Sequence, residues 1–270
     1  MKTIRLALAV LVTAGAANAA DIPSGLTGLW RMQTSADKFS PTIGAAPLTS
    51  SHPDNSGWFS VPWTMIGVPG NAGLYADGGG IQERSFDYLT VTHGIAPNGG
   101  GTYVNEYTVS IDYVQTSGIG SWNSLFQTAA SGNANDGDLW TDPTGHIGVG
   151  ATGYSTLTYN PDQWHRIAWS VDNGSSFRVY VDGVLFLDAA AQPIDGRFSL
   201  GSQFHLFADN DWEDQWGIVS TVMVWDRALS TDEVSSMGGT TTELILVPEP
   251  TTLSLLAIGC LFGLARRIRK

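Results

Sequence analysis

The sequence predicts an all-β protein built as an antiparallel sandwich, and three observations predict it. Apolar and polar residues alternate with period two through most of the chain from about residue 100 onward. Turn signals such as Asp182-Gly183 and Asp142-Pro143-Thr144-Gly145 separate the alternating runs at roughly 8–12-residue intervals. The composition, with 32 glycines and 10 tryptophans but few lysines, suits an extracellular β domain with many turns.

The first segment with strand character is Gly25 to Gln33, where Leu26, Gly28 and Trp30 share one face. Residues 34–75 are rich in Gly, Pro and Ser and give no assignable element. Glu106 to Gln115 is the clearest strand: Tyr107, Val109, Ile111 and Tyr113 fall on one face, and Thr108, Ser110 and Asp112 on the other. Asp138-Leu139-Trp140 and Ile147-Gly148-Val149 flank the tight turn at Asp142-Pro143-Thr144-Gly145. Trp164 to Val171 sets His165, Ile167, Trp169 and Val171 opposite Arg166, Ala168 and Ser170. Ser176 to Val181 turns at Asp182-Gly183 and returns through Val184 to Leu187, a hairpin. Ile218 to Trp225 is the last long strand. One helical turn follows, opened by the capping box Ser230-Thr231-Asp232-Glu233 and ended by Gly238.

The two ends of the chain read as addresses rather than structure. Met1 to Arg5 is positively charged, Leu6 to Ala16 is apolar, and Ala17-Asn18-Ala19 supplies small residues for cleavage after Ala19. This predicts a Sec signal peptide over 1–19, removed by signal peptidase. At the other end, Val247-Pro248-Glu249-Pro250 precedes an apolar run from Leu253 to Ala265 and a basic end, Arg266-Arg267-Ile268-Arg269-Lys270. The run is shorter than the roughly 20 residues a stable span needs, yet long enough to enter a bilayer as a transient hydrophobic sorting helix. Its cations would hold that end on the cytoplasmic side. The division predicted is therefore 1–19 signal peptide, 20–240 folded domain, and 241–270 linker and sorting segment. The single cysteine, Cys260, lies in the sorting segment, so the exported body has no disulfide and no thiol chemistry.

Charge narrows the possible partners. The chain holds 13 basic and 25 acidic residues; excluding both end segments leaves 7 basic and 24 acidic between residues 20 and 247, a net of −17. Such a body repels nucleic acid and anionic lipid and attracts cations.

Two resemblances follow from these residues. The motif, apolar run and basic tail of residues 247–270 resemble the PEP-CTERM sorting signal of Gram-negative, exopolysaccharide-producing bacteria, which implies handling by an exosortase. Tyr107-Thr108-Val109-Ser110-Ile111-Asp112, the hairpin from Trp164-His165-Arg166-Ile167 to Val179-Tyr180-Val181-Asp182-Gly183, and the closing Val224-Trp225-Asp226-Arg227-Ala228-Leu229-Ser230 resemble LamG-like, concanavalin A-type jelly rolls. That resemblance covers about residues 100–238. It implies a concanavalin A-like jelly roll that can bind calcium in rim loops and sugars through exposed aromatics.

The densest polar cluster is Asp209-Asn210-Asp211-Trp212-Glu213-Asp214. Its hard oxygen ligands suit calcium, with Asp209 and Asp211 leading and Asn210, Glu213 and Asp214 assisting. A solvated acidic loop explains the same residues, and the turn glycine of the EF-hand calcium loop is absent. Asn133 to Asp138 is a second acidic stretch, readable as a ligand set or as ordinary turn formers. Asp209, Asp211 and Glu213 have the i, i+2, i+4 spacing that would align carboxylates on a strand for glycoside hydrolysis, but they stand in a loop-like context. Nucleophile-elbow, zinc-protease and phosphate-loop motifs are all absent, and the five histidines are scattered singly. Trp122, Trp140, Trp212 and Trp216 are candidates for stacking on sugar rings, while Trp30, Trp164, Trp169 and Trp225 read as core. The reading is a non-enzymatic, exported, carbohydrate-binding or adhesion protein associated with extracellular polysaccharide. The alternatives are a polysaccharide hydrolase or lyase on the same fold, and a structural matrix protein.

Overall fold

β-Branched and aromatic residues spaced two apart favour a pleated, half-buried surface, and such runs form most of the strands here. The structure is a computed structural model. It describes residues 22–32, 39–44, 46–51, 58–62, 72–76, 88–128, 138–209, 213 and 215–240, with backbone alone at 58–62 and 72–76. The chain divides into Ile22–Glu243 and a second unit of Met1–Asp21 with Leu244–Lys270. The second unit, with the expected signal peptide and Val247, Pro248, Glu249 and Pro250, lies outside the described residues.

In chain order the strands are β1 (Leu26–Arg31), β2 (Pro41–Ile43), β3 (Thr49–Ser50), β4 (Trp58–Pro62), β5 (Ala72–Ala76), β6 (Leu89–Thr92), β7 (Glu106–Gln115), β8 (Asn123–Gln127), β9 (Leu139–Thr141), β10 (His146–Val149), β11 (Gly153–Thr158), β12 (His165–Asp172), β13 (Ser176–Val181), β14 (Val184–Ala189), β15 (Gln203–Leu206) and β16 (Gly217–Trp225); helix α1 (Thr231–Met237) closes the body. They pair antiparallel into two sheets. The first runs β14-β13-β12-β7-β16-β1-β2, with β5 also pairing β16 and β4 pairing β5; the second runs β11-β10-β9-β8-β15-β6-β3. The chain is thus an antiparallel β-sandwich, as its alternation predicts.

Between the sheets lie the apolar faces. Tyr107, Val109 and Ile111 of β7 and Ile167, Trp169 and Val171 of β12 are buried opposite Phe126 of β8 and Phe204 and Leu206 of β15. The Phe126 ring stands 5.0 Å from Trp169 and 5.5 Å from Phe204. At one end the interior is polar. Asn123 donates to Gln115 Oε1 (3.1 Å) and Tyr113 Oη (3.3 Å), while the hydroxyls of Tyr159 and Thr141 also reach Gln115 Oε1. These bonds tie β7 to β8 and β9, so they fix which residues of the second sheet face inward.

The polar faces of β7 and β12 do not meet water. Thr108, Ser110, Asp112, Arg166 and Ser170 are buried, because the segment 226–240 folds back across the outer face of the first sheet. The Thr108 and Ser170 hydroxyls donate to the Arg227 and Leu229 carbonyls at 3.0 and 2.9 Å. Arg166 grips Asp112 bidentately (2.7 and 2.9 Å) and donates its remaining terminal nitrogen to the Met237 carbonyl at the end of α1 (2.9 Å). Burial lowers the Arg166 pKa, but the Asp112 carboxylate outweighs it and leaves the group above its ordinary value. Trp225, Met223, Leu229, Val234 and Met237 make a second apolar layer there. Trp30, Trp164, Trp169 and Trp225 are all buried, as expected of core residues.

The capping box is present in both directions, with Glu233 N–H donating to Ser230 Oγ and the Glu233 carboxylate accepting from Ser230 N–H. Hydrogen bonds from Arg227 hold that carboxylate down at about 2. At the β13–β14 turn, Asp182 and Gly183 take φ of 52° and 78°, the left-handed pair that a two-residue hairpin of this type demands.

Candidate functional site

With the first sheet covered, the outer face of the second sheet carries the candidate site. Period-two geometry decides which residues reach it. Phe126, Leu139 and Leu206 pair across β8, β9 and β15 and face the core. Their neighbours therefore face out: Trp140 and Ser124 as one pair, and His205 and Gln127 as another. The register shift between Ser124 and Phe126 makes Leu125 an extra residue, which keeps Asn123 and Phe126 both turned inward.

One half of the face is aromatic. Trp140 aligns with Gly148, and Gly148 with Tyr154, so the glycine leaves a slot between two rings. A Cβ on Gly148 would stand 2.2 Å from the Gly153 carbonyl oxygen, so only glycine fits. The Trp122 ring lies 5.6 Å from Tyr154 and meets Trp140 edge-on at 6.4 Å. Trp122 and Tyr154 are half-buried and keep surface in water. Trp140 corrects the expectation of a stacking ligand residue: it is 3% exposed, so it supports Trp122 and has no face to offer a sugar. Trp216, by contrast, is 39% exposed, and its carbonyl accepts from Thr116 N–H at 2.8 Å.

The acidic loop borders this aromatic half. Phe207, which follows β15, takes φ of 64°, unusual for a bulky residue, and stacks 5.1 Å from Tyr113. Beyond it Ser124 Oγ donates to the Ala208 carbonyl (2.6 Å) and Ser124 N–H to the Glu213 carbonyl (2.8 Å). Gln215 Nε2 donates to the Trp122 carbonyl at 3.2 Å. Glu213 N–H donates to Asp209 Oδ2 (2.7 Å). β15 ends at Leu206, and the strand alignment open to Asp209, Asp211 and Glu213 falls partly outside the described residues. Asn210, Asp211, Trp212 and Asp214 lie outside the described residues. Among the described residues no three His, Cys, Asp or Glu side chains group to hold a metal, so no step is derived through calcium. Asp138, the described end of the second acidic stretch, is buried; its Oδ2 accepts from Thr128 N–H (2.8 Å) and the Thr128 hydroxyl (2.7 Å), and burial pushes its pKa up.

The other half of the face escaped sequence reasoning. Gln127, His205, Thr90 and Thr49 align across β8, β15, β6 and β3, and Gln203 pairs Thr92 beside them. His205 Nδ1 shares a hydrogen bond with the Thr90 hydroxyl (3.0 Å), and Tyr88 meets the imidazole edge-on at 5.2 Å. Burial lowers the His205 pKa to about 4, so the ring is neutral near pH 7. Gln127 is 1% exposed, and its Oε1 has no hydrogen-bond partner. The signal available in the sequence was the alternation Gln203-Phe204-His205-Leu206, too short to stand out.

A family model for the concanavalin A-like lectin/glucanases superfamily matches residues 83–235, more than half of the chain. The chain belongs to that superfamily. A second family model, the PEP-CTERM protein-sorting motif, matches residues 246–270, so this concanavalin A-like protein carries the sorting signal expected from its tail. No match to the sequence is found among curated proteins. Among solved structures, the Trypanosoma rangeli sialidase in complex with sialic acid is similar at 15% identity and a TM-score of 0.57, over 80% of this chain and 33% of that one. The same sialidase as a covalent intermediate with difluorosialic acid gives 15% and 0.56 over the same shares. Domain 4 of a GH43 extracellular arabinanase from Geobacillus stearothermophilus, in complex with arabinotriose, gives 20% identity and 0.49 over 79% of this chain and 98% of that one. The chain thus spans about a third of the length of the sialidases it matches. These likenesses correct the expectation of a non-enzymatic protein: the sandwich is a fold that glycosidase chains contain, so its architecture gives no ground for setting catalysis aside. Among the described residues no helix is long and apolar enough to cross a membrane.

Proposed function

We propose that this exported protein binds extracellular polysaccharide on the outer face of its second sheet. In this reading signal peptidase removes residues 1–19, and an exosortase-type enzyme processes the tail and leaves the sandwich in the cell envelope. The observation that carries the proposal is the pair Trp122 and Tyr154, two rings 5.6 Å apart that retain exposed surface beside a field of hydroxyl and amide groups. Aromatic rings of this kind stack on the apolar faces of sugars, while neighbouring polar groups read the hydroxyls. The test is glycan binding by the mature body. Trp122→Ala with Tyr154→Ala is expected to weaken binding at least tenfold with the fold intact, and binding unchanged by both substitutions would sink the proposal. Reducing ends released from the bound chain, measured alongside, report whether it is also cut.

For the acidic loop we propose calcium as the ion, on the charge and oxygen chemistry of Asp209, Asp211 and Glu213, with Asn210 and Asp214 beside them. Calcium is expected to raise the melting temperature of the wild type but not of Asp209→Ala/Asp211→Ala. A wild-type melting curve indifferent to calcium removes the ion from the proposal.

A further inference from the structure

The character of the outer face goes further than its aromatic pair. Of the described strand residues that register places outward on the second sheet, none is Asp, Glu, Lys or Arg. What they offer instead is uncharged: the Thr90, Thr92 and Gln203 side chains and the imidazole of His205. The His205 ring, held at Nδ1 by Thr90, keeps Nε2 for a second bond. Recognition of carboxylate or sulfate draws on Arg or Lys in fork or point contact, and the described strand residues of this face supply neither. Asp209 and Glu213 on its border are acidic, Arg197 at the Thr128 end is paired with Asp138 at 3.6 Å, and the body around them carries a net of −17. An anionic chain would therefore meet net repulsion from the body.

The two halves of the face also set a length. Ser124, at the aromatic half, and Gln127, at the hydrogen-bonding half, stand three residues apart on β8, a separation of ~10 Å. One sugar ring cannot lie against Trp122 and reach His205 at the same time.

Resting on the carbohydrate reading above, we infer that the outer face of the second sheet is a two-part site for an uncharged polysaccharide, stacking one sugar on Trp122 and Tyr154 and hydrogen-bonding another at His205 and the neighbouring Thr92 and Gln203. Acidic sugars are excluded.

The experiment titrates the mature protein, at low and high salt, with neutral glucans, galactans and xylans on one side and with sialylated, uronic and sulfated chains on the other. The neutral chains are expected to bind independently of salt, longer oligomers better than monosaccharides, and acidic chains not at all. His205→Ala is expected to weaken binding at least tenfold. Should that variant misfold by circular dichroism, Gln203→Ala with Thr92→Ala, both at the periphery of the row, replaces it with a smaller loss of affinity. Binding confined to acidic chains overturns the inference but leaves the carbohydrate reading standing. Silence across both panels overturns both.

Discussion

His205 shows how one side chain takes its chemistry from its surroundings. Alone in the sequence it is an ordinary imidazole; between Thr90, Tyr88 and Gln127 it is partly desolvated and pushed to about 4. His93 moves the same way for the same reason, and its two bonds define its state: Nε2–H donates to the Gly201 carbonyl (2.9 Å), so Nδ1 is the acceptor for Ile95 N–H (3.0 Å). Protonation at Nδ1 would break the second bond. Both residues therefore bind protons more weakly folded than unfolded, where imidazole titrates near ~6.5. Stability is expected to be fully present above that pH and to fall as pH drops from about 6.5 toward 4. Urea midpoints at pH 7.5 and pH 5 measure this, and His205→Gln should flatten part of the slope; a midpoint indifferent to pH over that interval would contradict it. Trp140 teaches the complementary lesson. A tryptophan beside loop residues looked available to a ligand, but the register that turns it outward also sets it against Trp122, where it is sealed.

Among the elements, the strongest strands were legible to within a residue or so. β7, β13 and β16 were read as strands close to their observed bounds, and in β7 the face of Tyr107, Val109 and Ile111 turns inward as its alternation suggests. The capping box likewise predicted α1, because it is a local device with a local signature. β11 and β15 were not legible. The first, Gly153–Thr158, is an exposed edge strand without a buried apolar row; the second spans only four residues. Nor could alternation alone say that the polar side of β7 and β12 would be covered. That depends on 226–240 folding back, a contact more than fifty residues away in the chain. The Arg166–Asp112 pair measures the strength of this closure. Both side chains are buried, at 2% and 6% exposed, so removing one leaves the other charged and unpaired. Asp112→Asn is expected to destabilise the protein by about 3 kcal/mol. Arg166→Met with Asp112→Leu, which removes both charges, should recover much of that loss. Equal losses in the single and double variants would show that the pair's desolvation is not the governing effect.

For the whole molecule, charge and address act together. The basic tail and the acidic body separate sharply in sequence, with four cations in the last five residues and a net of −17 in the body. The matched sorting motif makes a direct prediction: replacing Pro248, Glu249 and Pro250 with alanine should leave the unprocessed chain in the membrane fraction, against a shorter processed form for the wild type. Immunoblots of membrane, envelope and medium fractions decide this, and an unaltered distribution would remove the motif from sorting. The same scale marks what the sequence could say about the site. Its acidic loop and its tryptophans were visible as residue types, but their meeting on one face required β8, β9 and β15 to be placed beside one another.

The closing segment has one more consequence. A sandwich has two broad outer surfaces, and here 226–240 occupies one of them. On the proposed reading each copy offers one sheet face to a long polymer, and a lone copy would give a grip that a single dissociation ends. Durable hold comes from many copies displayed together, where release of one leaves its neighbours engaged and rebinding is governed by local concentration. Under that proposal the number of copies delivered to the envelope would set avidity as much as the chemistry of any one face.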